Sequence, residues 1–308
     1  MNRVLALALL LSLPGALLGQ SADPTSTIRV RVQLISLPVN VTDQHGATVG
    51  GLERSDFAVY EDGRSQRIAV FEKEAQTPLS VVLALDTSLS VHKDLRIEQD
   101  AARAFVRSIL RVQDQISVLQ FEYDVRELVS FTNNERRIDE AIEQLHGGTA
   151  TALYDAVDLS AELLDGKPGR RVIVIVTDGG NTVKGVSYRR ALEAAVRAQA
   201  VVYSIILVPI AASAGRDTGG EHALIQLSTD SGGRYYYVDQ TEDLPQVFRD
   251  VSDDLRAQYL LGYYSNRPSS DSEFRTITVR LTDTSRAATL SVRHRKGYYT
   301  TASPEPTR

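Results

Sequence analysis
Residues Leu79 to Ser90 read LSVVLALDTSLS. The run from Leu79 to Leu85 is apolar without alternation, as a strand must be when it is buried on both faces of a parallel sheet. It ends abruptly in Asp86-Thr-Ser88-Leu-Ser90, a change from grease to oxygen donors within one residue. Downstream, Ile97, Ala101, Phe105 and Ile109 fall at helical spacing within Arg96 to Arg111, and Ile116 to Phe121 reads as the next strand. Val125 to Phe131 continues as strand, Ile138 to Leu145 and Ala152 to Leu164 as helices. Arg171 to Val176 repeats the unbroken apolar pattern and runs into Thr177-Asp178-Gly179-Gly180. Ser187 is placed to cap a helix, Val201 to Val208 is a further buried strand, and His222 to Thr229 is a short helix. Arg234 to Val238 follows as a strand, and Thr241 is placed to cap a last helix carrying Leu244, Val247, Phe248, Val251 and Leu255. Strands alternating with helices of this length predict an α/β fold, a doubly wound, mainly parallel sheet.

Outward from this unit the rhythm changes to β. Before it, Ile28 to Val41 alternates with period two, Pro38 marking a bend or an edge, and Phe57 to Tyr60 and Ile68 to Phe71 are short strands. After it come Tyr259 to Tyr264, Phe274 to Leu281 and Ala288 to Arg295. The economical arrangement pairs the flanks, 27–75 and 258–300, as a small β-sandwich-like domain with the α/β unit (78–256) inserted. The tail 301–308 reads as disordered.

The chain has 308 residues, a real core at 43% hydrophobic, and a net charge of −5. That balance argues against a nucleic-acid surface. Its densest basic cluster, Arg293 to Lys296, reads as a solvated face rather than a phosphate grip. Met1-Asn-Arg3 followed by the apolar segment Val4 to Leu18 reads as a secretory signal peptide over residues 1–19, with no stable membrane span after cleavage. An exported, periplasmic or secreted protein is expected. The chain holds no cysteine, which excludes thiolate metal sites, catalytic thiols and disulfides.

In open parallel sheets ligands bind beyond the carboxyl ends of the strands. Three loops compete for that place: Asp86 to Ser90, Gly147-Gly-Thr149-Ala-Thr151 and Thr177 to Gly180. All supply hard oxygens, suited to Mg²⁺, which takes about six of them at roughly 2.0–2.1 Å. The carboxylates of Asp86 and Asp178 balance the charge, and the hydroxyls of Ser88, Ser90 and Thr149 fill neutral positions.

These loops resemble the metal-ion-dependent adhesion site of von Willebrand factor A domains, integrin I domains included. The order D-x-S-x-S, then Thr149, then Asp178, matches over Pro78 to Arg256. The flanks, with Val-Thr-Asp-Gln-His-Gly46, Tyr60-Glu-Asp-Gly63 and Arg295-Lys-Gly-Tyr-Tyr299, are similar to bacterial exported proteins described as VWFA-related. The resemblance implies that Ser88 and Ser90 ligate the metal directly and Asp86 directly or through water. It implies that Thr149 and Asp178 exchange direct and water-mediated contact as a ligand arrives. A Glu or Asp carboxylate of a protein or peptide partner then completes the shell. The second, adjacent cation site of some integrin chains is missing, since Lys93 stands where an acid belongs and Asp94 alone does not suffice.

The expected function is a metal-dependent binding or adhesion module rather than an enzyme, with Mg²⁺ as the cation (Mn²⁺ or Ca²⁺ as alternatives). A Mg²⁺-dependent phosphohydrolase is the rival, weakened because Ser88 stands where a second acid would follow a nucleophilic Asp86. A structural envelope protein with a vestigial site is the third reading. Asp155 is expected on a helix face, Asp124 in a hairpin turn and His92 in an exposed loop. The tyrosine runs at 235–237, 263–264 and 298–299 are expected to be structural.

Overall fold
The computed structural model describes residues 34–73, 76–88, 95–208, 218–267 and 273–300. Residues 1–33, with the expected signal peptide among them, Ser90, His92, Lys93, Asp94 and the segment 301–308 lie outside these residues.

The first flank forms β1 (Leu34–Thr42), β2 (Phe57–Glu61), β3 (Arg64–Gln66) and β4 (Ile68–Glu72). The α/β unit follows as β5 (Leu79–Asp86), α1 (Leu95–Ile109), β6 (Gln115–Phe121), β7 (Val125–Thr132), α2 (Glu135–Glu143), α3 (Leu153–Leu164), β8 (Arg170–Thr177), α4 (Tyr188–Arg197), β9 (Val201–Leu207), α5 (Thr218–Ser231), β10 (Arg234–Val238) and α6 (Leu244–Arg256). The chain ends through β11 (Tyr259–Tyr264), β12 (Phe274–Leu281), a single turn α7 (Thr284–Ala287), β13 (Ser291–Arg293) and β14 (Gly297–Tyr299).

The central sheet runs β10-β9-β8-β5-β6-β7, parallel except for the edge strand β7. Every residue of β5 is buried. Because side chains alternate across a strand, Leu79, Val81, Leu83 and Leu85 pack with α1, α2 and α6, while Val82 and Ala84 pack with α3, α4 and α5. The unbroken apolar run therefore serves two cores at once, as a two-sided layer requires.

The flanks build two further four-stranded sheets, β13-β1-β11-β4 and β14-β12-β2-β3. Each draws strands from both ends of the chain, with β1 antiparallel to β11 from Leu34↔Tyr264 to Val39↔Tyr259. They share one core around Leu37, Val39, Phe57, Tyr259 and Leu261. Within it Glu61 is fully buried and accepts hydrogen bonds from Tyr263 Oη and Tyr298 Oη at 2.9 Å each, and from Arg275 at 3.2 Å. Tyr263 and Tyr298 thus have structural roles, as expected, while their neighbour Tyr264 is exposed.

Several local expectations change. Thr241 belongs to a 3-10 turn, Thr241–Asp243, and α6 starts only at Leu244 with Pro245 in its first turn, so the cap lies elsewhere. The helix around His222 is longer than expected, at 14 residues. Ala288 to Arg295 is strand only over Ser291–Arg293, because α7 and its Asp283 cap occupy the preceding residues. The Arg293 to Lys296 cluster is not a solvated face: Arg293 pairs with buried Asp254 at 2.6 Å and Arg295 is 6% exposed. Both are drawn inward at the seam between sandwich and α/β unit, a long-range contact that local sequence does not encode. Asp155 lies on α3 and Asp124 in the turn between β6 and β7, both as expected; the first accepts from the amide of Val186 and the second pairs with Arg126.

Candidate metal centre
Strand β5 is the point where the winding reverses. Its successor β6 lies on one side, reached through α1, and β8 on the other, reached through α3. Such a switch point opens a crevice at the carboxyl ends of the strands. Asp86 is the last residue of β5, and Asp178 follows the last residue of β8.

Three hydrogen-bond contacts tie the three loops pairwise into a closed ring. Thr177 Oγ1 donates to Asp86 Oδ2 at 2.6 Å, joining the ends of β5 and β8. The amide of Gly148 donates to Thr87 O at 2.6 Å, joining the β5 loop to the Thr149 loop. Thr151 and Thr182 exchange two bonds of 2.9 and 3.0 Å, joining the Thr149 loop to the segment after Asp178. Gln120 reinforces the second joint, its amide donating to Thr87 Oγ1 at 3.0 Å and to His146 O at 2.9 Å. The described parts of these loops are therefore tied together by the scaffold's own hydrogen bonds.

Glycines are required where the ring closes. A Cβ on Gly148 would sit 2.0 Å from the Glu122 carboxylate, and one on Gly220 would sit 1.5 Å from Gly179 O. The start of α5 is thus packed against the Asp178 loop.

Asp86 is fully buried and Ser88 is 4% exposed. The Ser88 amide donates to Asp86 Oδ1 at 2.9 Å, so both carboxylate oxygens are oriented. Asp178 is half-buried, its Oδ1 receiving the Gly180 amide at 3.3 Å, and Thr149 is exposed at the mouth. Burial pushes the Asp86 carboxyl up to about 7, against the Thr177 and Ser88 hydrogen bonds that lower it, and the Asp178 charge raises it further.

A third acid, which sequence reasoning missed, adds to this. Glu98 on α1 is fully buried, and among the described residues neither of its carboxylate oxygens has a hydrogen-bond partner. Burial, and then the charge of Asp86, holds it well above the usual carboxylate range. The signal was in the stripe Glu98, Ala101, Ala102, Phe105, Val106 and Ile109, which is the buried face of α1. The spacing Ile97, Ala101, Phe105, Ile109 shares its last three residues with that face and misses it only at half-buried Ile97, beside Glu98.

Buried carboxyls this short of positive charge are costly unless protonated or compensated. Among the described residues the donors are hard oxygens with no imidazole beside them, and the chain has no cysteine to supply a thiolate. Among the described residues no three His, Asp or Glu side chains gather in metal-holding geometry. A cation here would therefore rest on two carboxylates with hydroxyls beside them, which suits a hard dication better than a soft one.

Comparison with known families agrees with this geometry. Residues 81–181 match the model of the von Willebrand factor type A domain. Over those residues the chain is similar to von Willebrand factor type A domains. The fold is shared by a von Willebrand factor type A protein from Catenulispora acidiphila, with a TM-score of 0.52 at 11% identity over 83% of this chain and 76% of that one. It is shared too by proximal thread matrix protein 1 from the mussel byssus, in a structure described as having a zinc-occupied MIDAS motif. There the TM-score is 0.53 at 14% identity, over 64% of this chain and half of the mussel chain. Comparison of the sequence with curated proteins gives no match.

Proposed function
We infer that the A domain is a metal-dependent binding module, in which Asp86, Ser88, Ser90, Thr149 and Asp178 hold a divalent cation, Mg²⁺ for preference. The cation supplies an electrophilic position for a Glu or Asp carboxylate of a protein partner. The observation that carries this reading is the pair of buried acids, Asp86 and Glu98, at the end of β5. Asp86 is buried and braced by Thr177 and the Ser88 amide, and its charge acts on the buried Glu98, whose carboxylate has no hydrogen-bond partner among the described residues. Bracing keeps the Asp86 oxygens pointed and limits the reorganisation that binding would need. Exposed Thr149 stands where an arriving partner would meet the site. With only two carboxylates against a dication, the site retains attraction for one more anion.

The zinc-occupied motif of the mussel protein, on the same fold, supports a cation at this place. The apolar segment Val4 to Leu18 supports export, and among the described residues no helix is long and apolar enough to cross a membrane. Hydrolysis is the weaker reading, because Ser88 replaces the second acid that an Asp86 nucleophile would need. The test is thermal unfolding of the dialysed protein with Mg²⁺, Mn²⁺ or neither. Each metal is expected to raise the melting temperature of the wild type and leave Asp86→Asn unmoved. A wild type indifferent to both metals removes the reading.

A further inference from the structure
A cavity of about 340 Å³ opens at the amino ends of the parallel strands, away from the Asp86 crevice. Its walls are the outward face of β1, at Leu34, Ser36 and Pro38, and the turn that leads into β8. That volume is at the lower end of the roughly 300–1,000 Å³ of small-molecule pockets. Lys167, Arg170, Arg171 and Arg295 line it, and among the described residues no Asp or Glu does.

Lys167, Arg171 and Arg295 are met by neutral groups, while Arg170 also feels the charges of Asp114 and Glu72. Arg295 donates to Gln199 Oε1 and to Ser36 O, both at 2.8 Å, and its Nε has no partner among the described residues. Arg171 donates to Lys167 O and Ala198 O at 2.8 Å each. Lys167 Nζ lies 4.3 Å from the centroid of the Phe131 ring. Arg170 donates to Leu255 O at 2.6 Å and to Gln258 Oε1 at 2.8 Å. The sandwich treats its other inward arginines differently, since Arg275 is met by Glu61 and Arg293 by Asp254. Arg295 is as buried as these and has a neighbouring cation instead of a carboxylate. Burial and the charge of Arg171 both work against its charged form, yet it remains cationic at neutral pH.

A buried guanidinium without a counter-charge is expensive. Carbonyl oxygens offset part of that cost and fix the direction of the remaining donors, while leaving the charge itself unbalanced. Two arginines and one lysine lining the same cavity form a donor set that suits an oxyanion with several acceptor oxygens.

We propose that the cavity between β1 and the turn before β8 binds a small phosphate-bearing anion, gripped by Lys167, Arg171 and Arg295. Inorganic phosphate and a phosphate monoester share the chemistry, and the extra volume favours the monoester.

The test is calorimetric titration of the full chain, dialysed free of metal, with inorganic phosphate and separately with glycerol 3-phosphate, against chloride at matched ionic strength. Saturable binding is expected for at least one. It should be weakened roughly tenfold or more in Lys167→Glu and in Arg171→Gln, both with unchanged circular dichroism. Tighter binding of glycerol 3-phosphate assigns a monoester, and equal binding assigns the phosphate group alone. Arg295→Lys, which keeps the charge and loses the fork, should weaken binding less than Lys167→Glu. Heat no different from chloride, or binding that both folded charge variants retain in full, overturns the proposal. Repeating the titration on Asp86→Asn separates the two sites: phosphate binding there should equal that of the wild type, and its loss would place the anion at the Asp86 crevice and overturn the proposal.

Discussion
The Thr177 hydroxyl lies 2.6 Å from Asp86 Oδ2 and takes the Gly179 amide at 3.1 Å, so one side chain links the ends of two neighbouring strands to the turn that carries Asp178. Thr177→Val keeps the shape and removes the link. It should cost about 1–3 kcal/mol, the price of a buried polar partner left unmade, and weaken Mg²⁺ binding as well. Guanidinium denaturation with and without Mg²⁺ measures both.

The Asp86 carboxyl binds its proton more tightly in the folded chain than in the unfolded one, where its value is near 3.8. The sign follows: the metal-free fold is favoured at low pH, and that contribution is lost as pH rises from about 4 to about 7. A bound dication displaces the proton and removes the decline. Denaturation midpoints across that range should fall without metal and hold steady with saturating Mg²⁺, and metal uptake near neutrality should release protons into a weak buffer.

Glu98 extends the argument to a residue outside the expected ligand set. Its carboxyl is also raised, so its ionisation penalises the metal-free fold increasingly as pH climbs above the ordinary glutamate range. Glu98→Gln leaves an amide without partners, a smaller cost than a buried charge. The variant should be more stable than the wild type without metal at neutral pH, and gain less from Mg²⁺. Melting curves of the two proteins, with and without the metal, decide it.

In the sandwich, Glu61 accepts from Tyr263, Tyr298, Ser265 and Arg275 together. Glu61→Ala strips a counter-charge from an arginine that is 1% exposed. The expected loss is about 3–5 kcal/mol, read as a drop in the urea midpoint with little change in Mg²⁺ affinity per folded molecule.

The α/β layers were legible because β5 and β8 each carry a run too apolar for any one-sided strand, and because the polar residues begin where the runs stop. The placement of Asp86 and Asp178 at adjacent strand ends follows from those runs. Strand order in the sandwich was not legible, since β1 and β11 meet from opposite ends of the chain and nothing local to either specifies the partner. Glu98 was hidden because an acid within an apolar stripe reads as a solvated residue, and the apolar spacing puts half-buried Ile97 beside it at the inward position. Arg295 was misjudged for a similar reason: a run of basic residues looks solvated until a distant face, here β1, closes over it.

The most direct measurement is anomalous diffraction from crystals grown with Mn²⁺, collected near the manganese absorption edge. A single peak should lie within bonding distance of oxygens from Asp86, Ser88, Thr149 or Asp178, directly or through ordered water. A fully occupied peak elsewhere, or none at this crevice at saturating Mn²⁺ with the three loops ordered, would contradict the assignment of a cation to the end of β5.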